Sequence, residues 1–325
     1  MSRRAYQDMR ILLTGATGFA GGHLVEALLV RPGVELLGLS RRGEWPVQWR
    51  HLAGRVVVRS CELTDKSAIA AVLAEWRPQY IYHLGGYAHV GRSFHEPDAA
   101  WSGNLEGTRR LLEAVERCGG RPRVLLVGSG LVYGDLETPG QACDERCLLR
   151  PDSPYAASKA AADLLGYQFW RCCGMEVIRA RPFNHIGPGQ SAEFAAAHFA
   201  RQLVEIERGN RPPLLETGDL STRRDLTDVR DIVRGYLLLM DRGQPGDVYN
   251  LGSGQLFSMA EILDRLLTLA GVRCEVRCRP ELLRDAETPI LRADAAKIQR
   301  ELDWSPQIPL EQTLADVLAY WRQMS

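Results

Sequence analysis

The sequence predicts an α/β protein: a doubly wound parallel sheet with a smaller C-terminal lobe interleaved with it. Two observations carry this. From Ile11 to about Ala180, short apolar runs alternate with apolar residues at helical spacing, the order that a parallel sheet covered on both faces requires. Beyond Asn184 the texture changes to segments punctuated by Pro and Gly, among them Gly187-Pro188-Gly189, Gly209-Asn210-Arg211-Pro212-Pro213 and Gln244-Pro245-Gly246, which suit a less regular second lobe. The 325 residues exceed a usual single domain, yet they allow one large core with a second lobe.

The first strand, expected at 10–14, is the apolar run ending at Thr14, and Leu24, Val25, Leu28 and Leu29 after it have helical spacing. Gly15, Gly18 and Gly21 therefore fall at a strand-to-helix turn. Glycine there permits a tight turn and close approach of the backbone to a pyrophosphate, whose charge is favoured by free N–H groups at a helix N-terminus. This is the Rossmann arrangement for a dinucleotide. The spacing is G-x-x-G-x-x-G where the common fingerprint has G-x-G-x-x-G, so the glycines by themselves leave a purely structural turn open.

The second strand, 35–39, runs into Ser40, followed by Arg41 and Arg42. An Asp or Glu at this point would bond an adenosine ribose 2′-hydroxyl and repel a 2′-phosphate. A hydroxyl and a guanidinium suit the phosphate, which favours NADP(H) over NAD(H); the alternative is that the arginines only solvate a loop. Strands follow at 56–60, 80–84 and 124–128. The last of these stops at Ser129, placing its hydroxyl at the carboxyl edge of the sheet, where ligands bind in such folds. Helices are expected at 104–118 and 155–172, and a further strand at 176–181. A return strand at 247–251 is expected to rejoin the sheet. The division is then a dinucleotide-binding domain at 1–182, joined by segments near 225–255, and a lobe at 183–325 that mainly binds substrate.

The second of those helices carries Tyr155 and Lys159. Their four-residue offset puts both side chains on one helix face, so an ammonium can lie beside a phenol and lower its pKa. A half-buried Tyr and a solvated Lys on an Ala-rich helix would be the bland alternative, but here the pair keeps company with Ser129 and the glycine turn.

Together the glycine turn and Tyr155-x-x-x-Lys159 resemble the extended short-chain dehydrogenase/reductase family. Further matches span nearly the whole chain: His83-Leu84-Gly85-Gly86, Asn104-Leu105-Glu106-Gly107-Thr108, Ser129 four residues before Tyr133-Gly134, and Arg181-Pro182-Phe183-Asn184. Arg224-Asp225-Leu226-Thr227-Asp228-Val229 and Leu302-Asp303-Trp304-Ser305-Pro306 look like the nucleotide-sugar branch. The run from Arg181 to Gln190 is similar to a segment of GDP-4-dehydro-6-deoxy-D-mannose reductases.

The resemblance implies a catalytic group of Ser129, Tyr155 and Lys159. It implies cofactor contacts at Gly15, Gly18, Phe19, Ala20, Gly21, Ser40, Arg41, Leu84, Gly85 and Asn104, besides Tyr155 and Lys159. Glu62, followed by Leu63, stands where the family usually has the Asp that holds the adenine. For the nucleotide sugar, Asn184 would contact the diphosphate or sugar and Arg224 the diphosphate. Arg284 and Glu287 are similar to an R-P-x-E-V segment that binds nucleoside ribose hydroxyls, with Asp285 and Thr288 replacing its Pro and Val. His185 is either packed beside the nicotinamide or a substrate ligand.

In 4,6-dehydratases similar to this chain, carboxylates at the two positions after Ser129 remove the C5 proton and expel the C6 hydroxyl. Here those positions are Gly130 and Leu131, which exchange no proton, so elimination lacks its acid and base. The implied activity is NADPH-dependent reduction of the C4 ketone of a nucleotide-linked 4-keto-6-deoxyhexose, from GDP-4-dehydro-6-deoxy-D-mannose to GDP-D-rhamnose. A nucleotide-sugar 4-epimerase is the alternative, and a non-catalytic dinucleotide sensor a third. Relatives form homodimers through a four-helix bundle, which here would use the helices at 104–118 and 155–172.

Composition narrows the partners. Forty basic residues balance forty acidic ones, which argues against nucleic acid or an anionic membrane as the main partner. No apolar stretch is long enough to span a bilayer, and no apolar signal core follows Ser2-Arg3-Arg4, so a cytoplasmic address is expected. Among eight cysteines, Cys143/Cys147 and Cys274/Cys278 share a C-x-x-x-C spacing. That is wider than common zinc knuckles and lacks a histidine pair, so no metal is expected.

Overall fold

The computed structural model describes residues 9–134, 136, 140–282 and 290–324. Its centre is a seven-stranded parallel sheet: β1 (Met9–Thr14), β2 (Val34–Ser40), β3 (Val57–Ser60), β4 (Tyr80–His83), β5 (Arg123–Val127), β6 (Val177–Pro182) and β7 (Val248–Leu251), in the order β7-β6-β5-β4-β1-β2-β3. The chain runs outward from β1 in one direction, then returns past it to build the other half, with the reversal between β1 and β4. β1 pairs with β2 on one side, Ile11 opposite Leu36, and with β4 on the other, Ile11 opposite Tyr80.

Side chains alternate between two covered faces, as the period of a strand dictates. Ile11, Leu13, Tyr82, Leu125 and Ile178 face a core shared with α1 (Phe19–Leu29) and, later in the chain, Val229–Arg242. Leu12, Ile81, Val124, Leu126 and Val177 face the opposite core. That core is closed by α2 (Lys66–Trp76), α3 (Gly107–Arg117) and α4 (Pro154–Cys173). In α4 the ends are well specified. The Ser153 hydroxyl accepts from the Ala156 amide at 3.2 Å, Pro154 opens the first turn, and Gly174 closes the helix at φ +66°.

The expected strands coincide with the observed ones to within a residue or two at each end. The helix expected at 104–118 differs at its start: a wider, π-type stretch spans Trp101–Glu106 and regular α-helix begins at Gly107. β7 lies in the large sheet, parallel to β6, with Val248 opposite Arg179 and Leu251 opposite Pro182. The remaining residues gather α5 (Ala195–Glu207), α6 (Val229–Arg242), α7 (Met259–Ala270) and α8 (Leu310–Met324). Of these, α5, α7 and α8 close a separate core around Leu203, Ile262, Leu266 and Leu314. Beside it Leu214–Thr217 pairs in parallel with Glu275–Cys278.

Candidate active site

The glycine turn lies at the carboxyl end of β1, between β1 and α1. Gly15 sits at φ +72°, and a Cβ there would stand 2.8 Å from the amide nitrogen of Gly85. A Cβ on Gly21 would stand 2.1 Å from the Gly15 carbonyl oxygen, and one on Gly18 3.2 Å from the same atom. At Gly15 and Gly21 only glycine allows these backbones to come together, and the result is a bare main-chain cradle at a helix N-terminus, which fits a dinucleotide pyrophosphate. Phe19 stacks on His185 at 5.9 Å with the rings nearly parallel, and Ala20 is half-buried beside it. His185 shares Nδ1 with the Phe183 carbonyl at 3.0 Å, and burial lowers its pKa.

Around the cradle, the Gly85 amide donates to Thr14 Oγ1 at 3.0 Å. A Cβ on Gly85 would meet Leu63 Cδ1 at 2.8 Å, so Leu63 packs against the Leu84-Gly85 turn. Glu62 is exposed next to it. At the end of β2 the Ser40 hydroxyl accepts from the Gly43 amide at 3.0 Å, and the Arg41 side chain is exposed while its carbonyl accepts from Ser60 Oγ at 2.8 Å.

Ser129 directly follows Gly128 beyond β5 and caps a one-turn helix, Gly130–Tyr133, accepting from the Leu131 amide at 3.2 Å. Tyr155 and Lys159 face it from the first turns of α4. Burial raises the pKa of the Tyr155 phenol, and a hydrogen bond with Ser129 works against that rise. Here the structure corrects the sequence reading, in which the Lys159 ammonium lowers the phenol's pKa. Lys159 Nζ donates instead to the Val127 carbonyl at 3.1 Å, and burial brings its own pKa down to about 8.

A chain of buried polar groups braces this helix, and the sequence reading missed most of it. Asn104, 2% exposed, accepts from the Tyr87 amide at 2.9 Å and donates to Ser158 Oγ at 3.0 Å. Ser158 Oγ in turn donates to the Tyr155 carbonyl at 2.8 Å. The Asn104 carbonyl accepts from Thr108 Oγ1, which also meets His83 Nε2 at 2.9 Å, and His83 Nδ1 meets Thr14 Oγ1 at 2.7 Å. Burial, assisted by the charge of Lys159, holds His83 neutral with a pKa of about 3. The π-type stretch delivers Asn104 to α4; no periodicity signal marks it in the sequence.

Asn184 is half-buried after β6, its carbonyl accepting from the Thr227 amide at 3.1 Å. Arg224 is half-buried too and donates to the Arg223 carbonyl at 2.7 Å. Arg284 and Glu287 lie outside the described residues. Among the described residues no group of three or more His, Cys, Asp or Glu side chains is arranged to hold a metal ion, and no helix is long and apolar enough to cross a membrane.

Comparison with known proteins agrees with this geometry. The family model for GDP-mannose 4,6 dehydratase matches residues 12–317. A GDP-6-deoxy-D-mannose reductase from Pseudomonas aeruginosa is 34% identical over 96% of this chain and 97% of its own length. The solved structure of RMD from Pseudomonas aeruginosa complexed with NADPH superposes with a TM-score of 0.84 at 32% identity, covering 98% of this chain and all of that one. UDP-glucose 4-epimerase from Thermus thermophilus in complex with NAD superposes with a TM-score of 0.86 at 27% identity, covering 97% and 99%.

Proposed function

Since the chain belongs to the GDP-mannose 4,6 dehydratase family of extended short-chain dehydrogenase/reductases, enzymes of nucleotide-sugar chemistry that use a nicotinamide dinucleotide, we propose that it reduces the C4 ketone of a nucleotide-linked 4-keto-6-deoxyhexose. The favoured substrate is GDP-4-dehydro-6-deoxy-D-mannose and the favoured product GDP-D-rhamnose. One observation carries the choice against elimination: Ser129, Tyr155 and Lys159 converge at the end of β5, while Gly130 and Leu131 beside them offer no proton acid or base, and the NADP(H) preference argued from Ser40 and Arg41 favours reduction over epimerisation.

In this reading Tyr155 gives its phenolic proton to the C4 oxygen, and Ser129 orients that oxygen through a hydrogen bond. Lys159 holds the nicotinamide ribose. Gly15, Gly18, Phe19, Ala20 and Gly21 cradle the pyrophosphate, with Leu63, Leu84 and Gly85 beside them and Glu62 at the adenine. Ser40 and Arg41 favour a 2′-phosphate, hence NADP(H). When bound, the dinucleotide supplies the hydride that reaches C4. Asn184 and Arg224 take the sugar and diphosphate. The protein would act as a homodimer paired through α3 and α4, a reading supported by Leu164 and Tyr167, which leave 57% and 43% of their surface exposed on α4. Light scattering of the purified protein checks it.

Incubation with NADPH and GDP-4-keto-6-deoxymannose tests the reaction. Cofactor should be consumed in equal amount with the ketone, giving a 6-deoxyhexose whose C4 configuration is read by NMR. GDP-mannose alone should give no 4-keto-6-deoxy product. Interconversion of C4 epimers of a GDP- or UDP-hexose without added reductant would establish the epimerase instead, and dehydration of GDP-mannose would likewise overturn the proposal.

A further inference from the structure

Asp163 lies four residues beyond Lys159, one turn further along the same face of α4, and is 1% exposed. Its carboxylate accepts from Arg181 twice, Nε at 3.0 Å and Nη2 at 2.8 Å, and from Arg179 Nη1 at 2.8 Å. Both arginines belong to β6. A two-pronged guanidinium–carboxylate pair fixes direction as well as distance. Arg181 then spends Nη1 on the Tyr133 hydroxyl at 3.0 Å, with its guanidinium also over the Tyr133 ring at 5.1 Å. Tyr133 donates to Asn250 Oδ1 on β7 at 2.7 Å, and Asn250 Nδ2 donates to the Cys143 carbonyl at 2.8 Å.

Tyr133 is the last residue of the one-turn helix that Ser129 caps. The circuit is therefore closed: α4 connects Lys159 to Asp163, hydrogen bonds connect Asp163 through Arg181 to Tyr133, and a single turn connects Tyr133 to Ser129. The two elements carrying the reacting groups are joined behind the site by side chains that are all buried.

We infer that Arg181 and Tyr133 are positioning residues, which set the spacing of Ser129 against Tyr155 and Lys159 by tying the Ser129 turn to α4 through Asp163. This rests on the roles assigned above to those three groups. The third arm, from Arg181 Nη1 to the Tyr133 hydroxyl, is what ties the Arg181–Asp163 pair to the Ser129 turn. Removing Asp163 or Arg181 outright would leave an uncompensated buried charge, so the informative variant is Tyr133→Phe, which keeps the ring and removes only the oxygen that links the two halves.

Two readouts decide it. In a crystal structure of Tyr133→Phe, Ser129 Oγ should move relative to Tyr155 by more than about 0.5 Å, the tolerance of a working site. In a single-turnover reaction with the 4-keto sugar, using NADPH and NADPH deuterated at the transferred position, the rate per titrated NADPH site should fall about ten- to a hundredfold. The isotope effect should grow while NADPH affinity stays within about twofold. Normalising to titrated sites makes the rate independent of how much protein folds. A normal rate per site with fewer sites would mark Tyr133 as merely structural and overturn the inference, as would an unmoved Ser129. If wild-type protein fails to oxidise NADPH with the ketone, the proposed function falls, and the crystallographic comparison still decides this point.

Discussion

The main-chain amide of Tyr155 donates to the hydroxyl of Ser93, 3.2 Å away, on a segment that belongs neither to α4 nor to the strand before it. Ser93 is fully buried and also donates to the Val90 carbonyl at 2.6 Å. One of the orphan amides of the first turn of α4 is thus satisfied from outside the helix, so the Tyr155 backbone is held independently of its side chain. Tyr155→Phe should accordingly leave helix and cofactor binding intact while the rate of hydride transfer falls by roughly two to four orders of magnitude. Turnover near the wild-type rate would remove the phenol from the mechanism.

Arg41 is exposed at the end of β2, and its carbonyl is engaged by Ser60. If its guanidinium pairs with a 2′-phosphate, Arg41→Ala weakens NADPH by about 1.5–3 kcal/mol, the worth of a charged hydrogen bond, and leaves NADH almost unchanged. Titration of both cofactors checks it. Equal binding of NADH and NADPH by the wild type would sink the NADP(H) assignment.

Lys159 carries its charge in a buried place, and its pKa of about 8 lies below the ordinary lysine value. Because the folded-state pKa is depressed, the unfolded chain binds more protons between pH 8 and the ordinary lysine range. Stability should therefore rise with pH across that window, and the cost of the buried ammonium is fully present below it. The shift corresponds to about 3 kcal/mol, less about 1 for the bond to Val127. Lys159→Met is expected to be inactive and, at pH 7, more stable by about 2 kcal/mol. Its advantage in denaturant melts should shrink toward pH 10; an advantage that grows with pH contradicts the assignment.

The cradle predicts a contrast between two glycines. A Cβ on Gly21 would stand 2.1 Å from the Gly15 carbonyl oxygen and 2.9 Å from that of Ala16, both rigid backbone, whereas one on Gly91 would meet nothing within 4 Å. Gly21→Ala should cost about 1–3 kcal/mol or more and abolish cofactor binding, while Gly91→Ala should stay within about 0.5 kcal/mol. Thermal melts with and without NADPH separate the two.

The large sheet was legible because its strands are buried on both faces and so appear as short apolar runs; β7 could be anticipated even though it falls between α5 and α7 of the second lobe. Tyr155, Lys159 and Ser129 were legible because helical offset and strand end both have fixed geometry. What escaped was set by tertiary contact. The route of Lys159 Nζ to the Val127 carbonyl depends on where β5 ends relative to α4. The start of α3 shifted because the chain widens into a π-type turn that delivers Asn104 to Ser158. Asp163 gave one faint signal, a carboxylate one helical turn beyond Lys159, but its partners Arg181 and Tyr133 are distant in sequence and only the fold brings them together.

The placement of β7 also governs how the chain is made. All six residues of β6 are buried in the finished protein, and the strand that covers its outer edge is not synthesised until about seventy residues later. At about 5–20 residues per second the ribosome leaves that edge open for roughly 4–14 s. An uncovered apolar strand edge is a template for pairing with other chains. A chain terminated at Asp247 keeps the edge open permanently and should accumulate in aggregates, and the full-length nascent protein should depend on chaperones during that interval more than its sheet content alone would suggest.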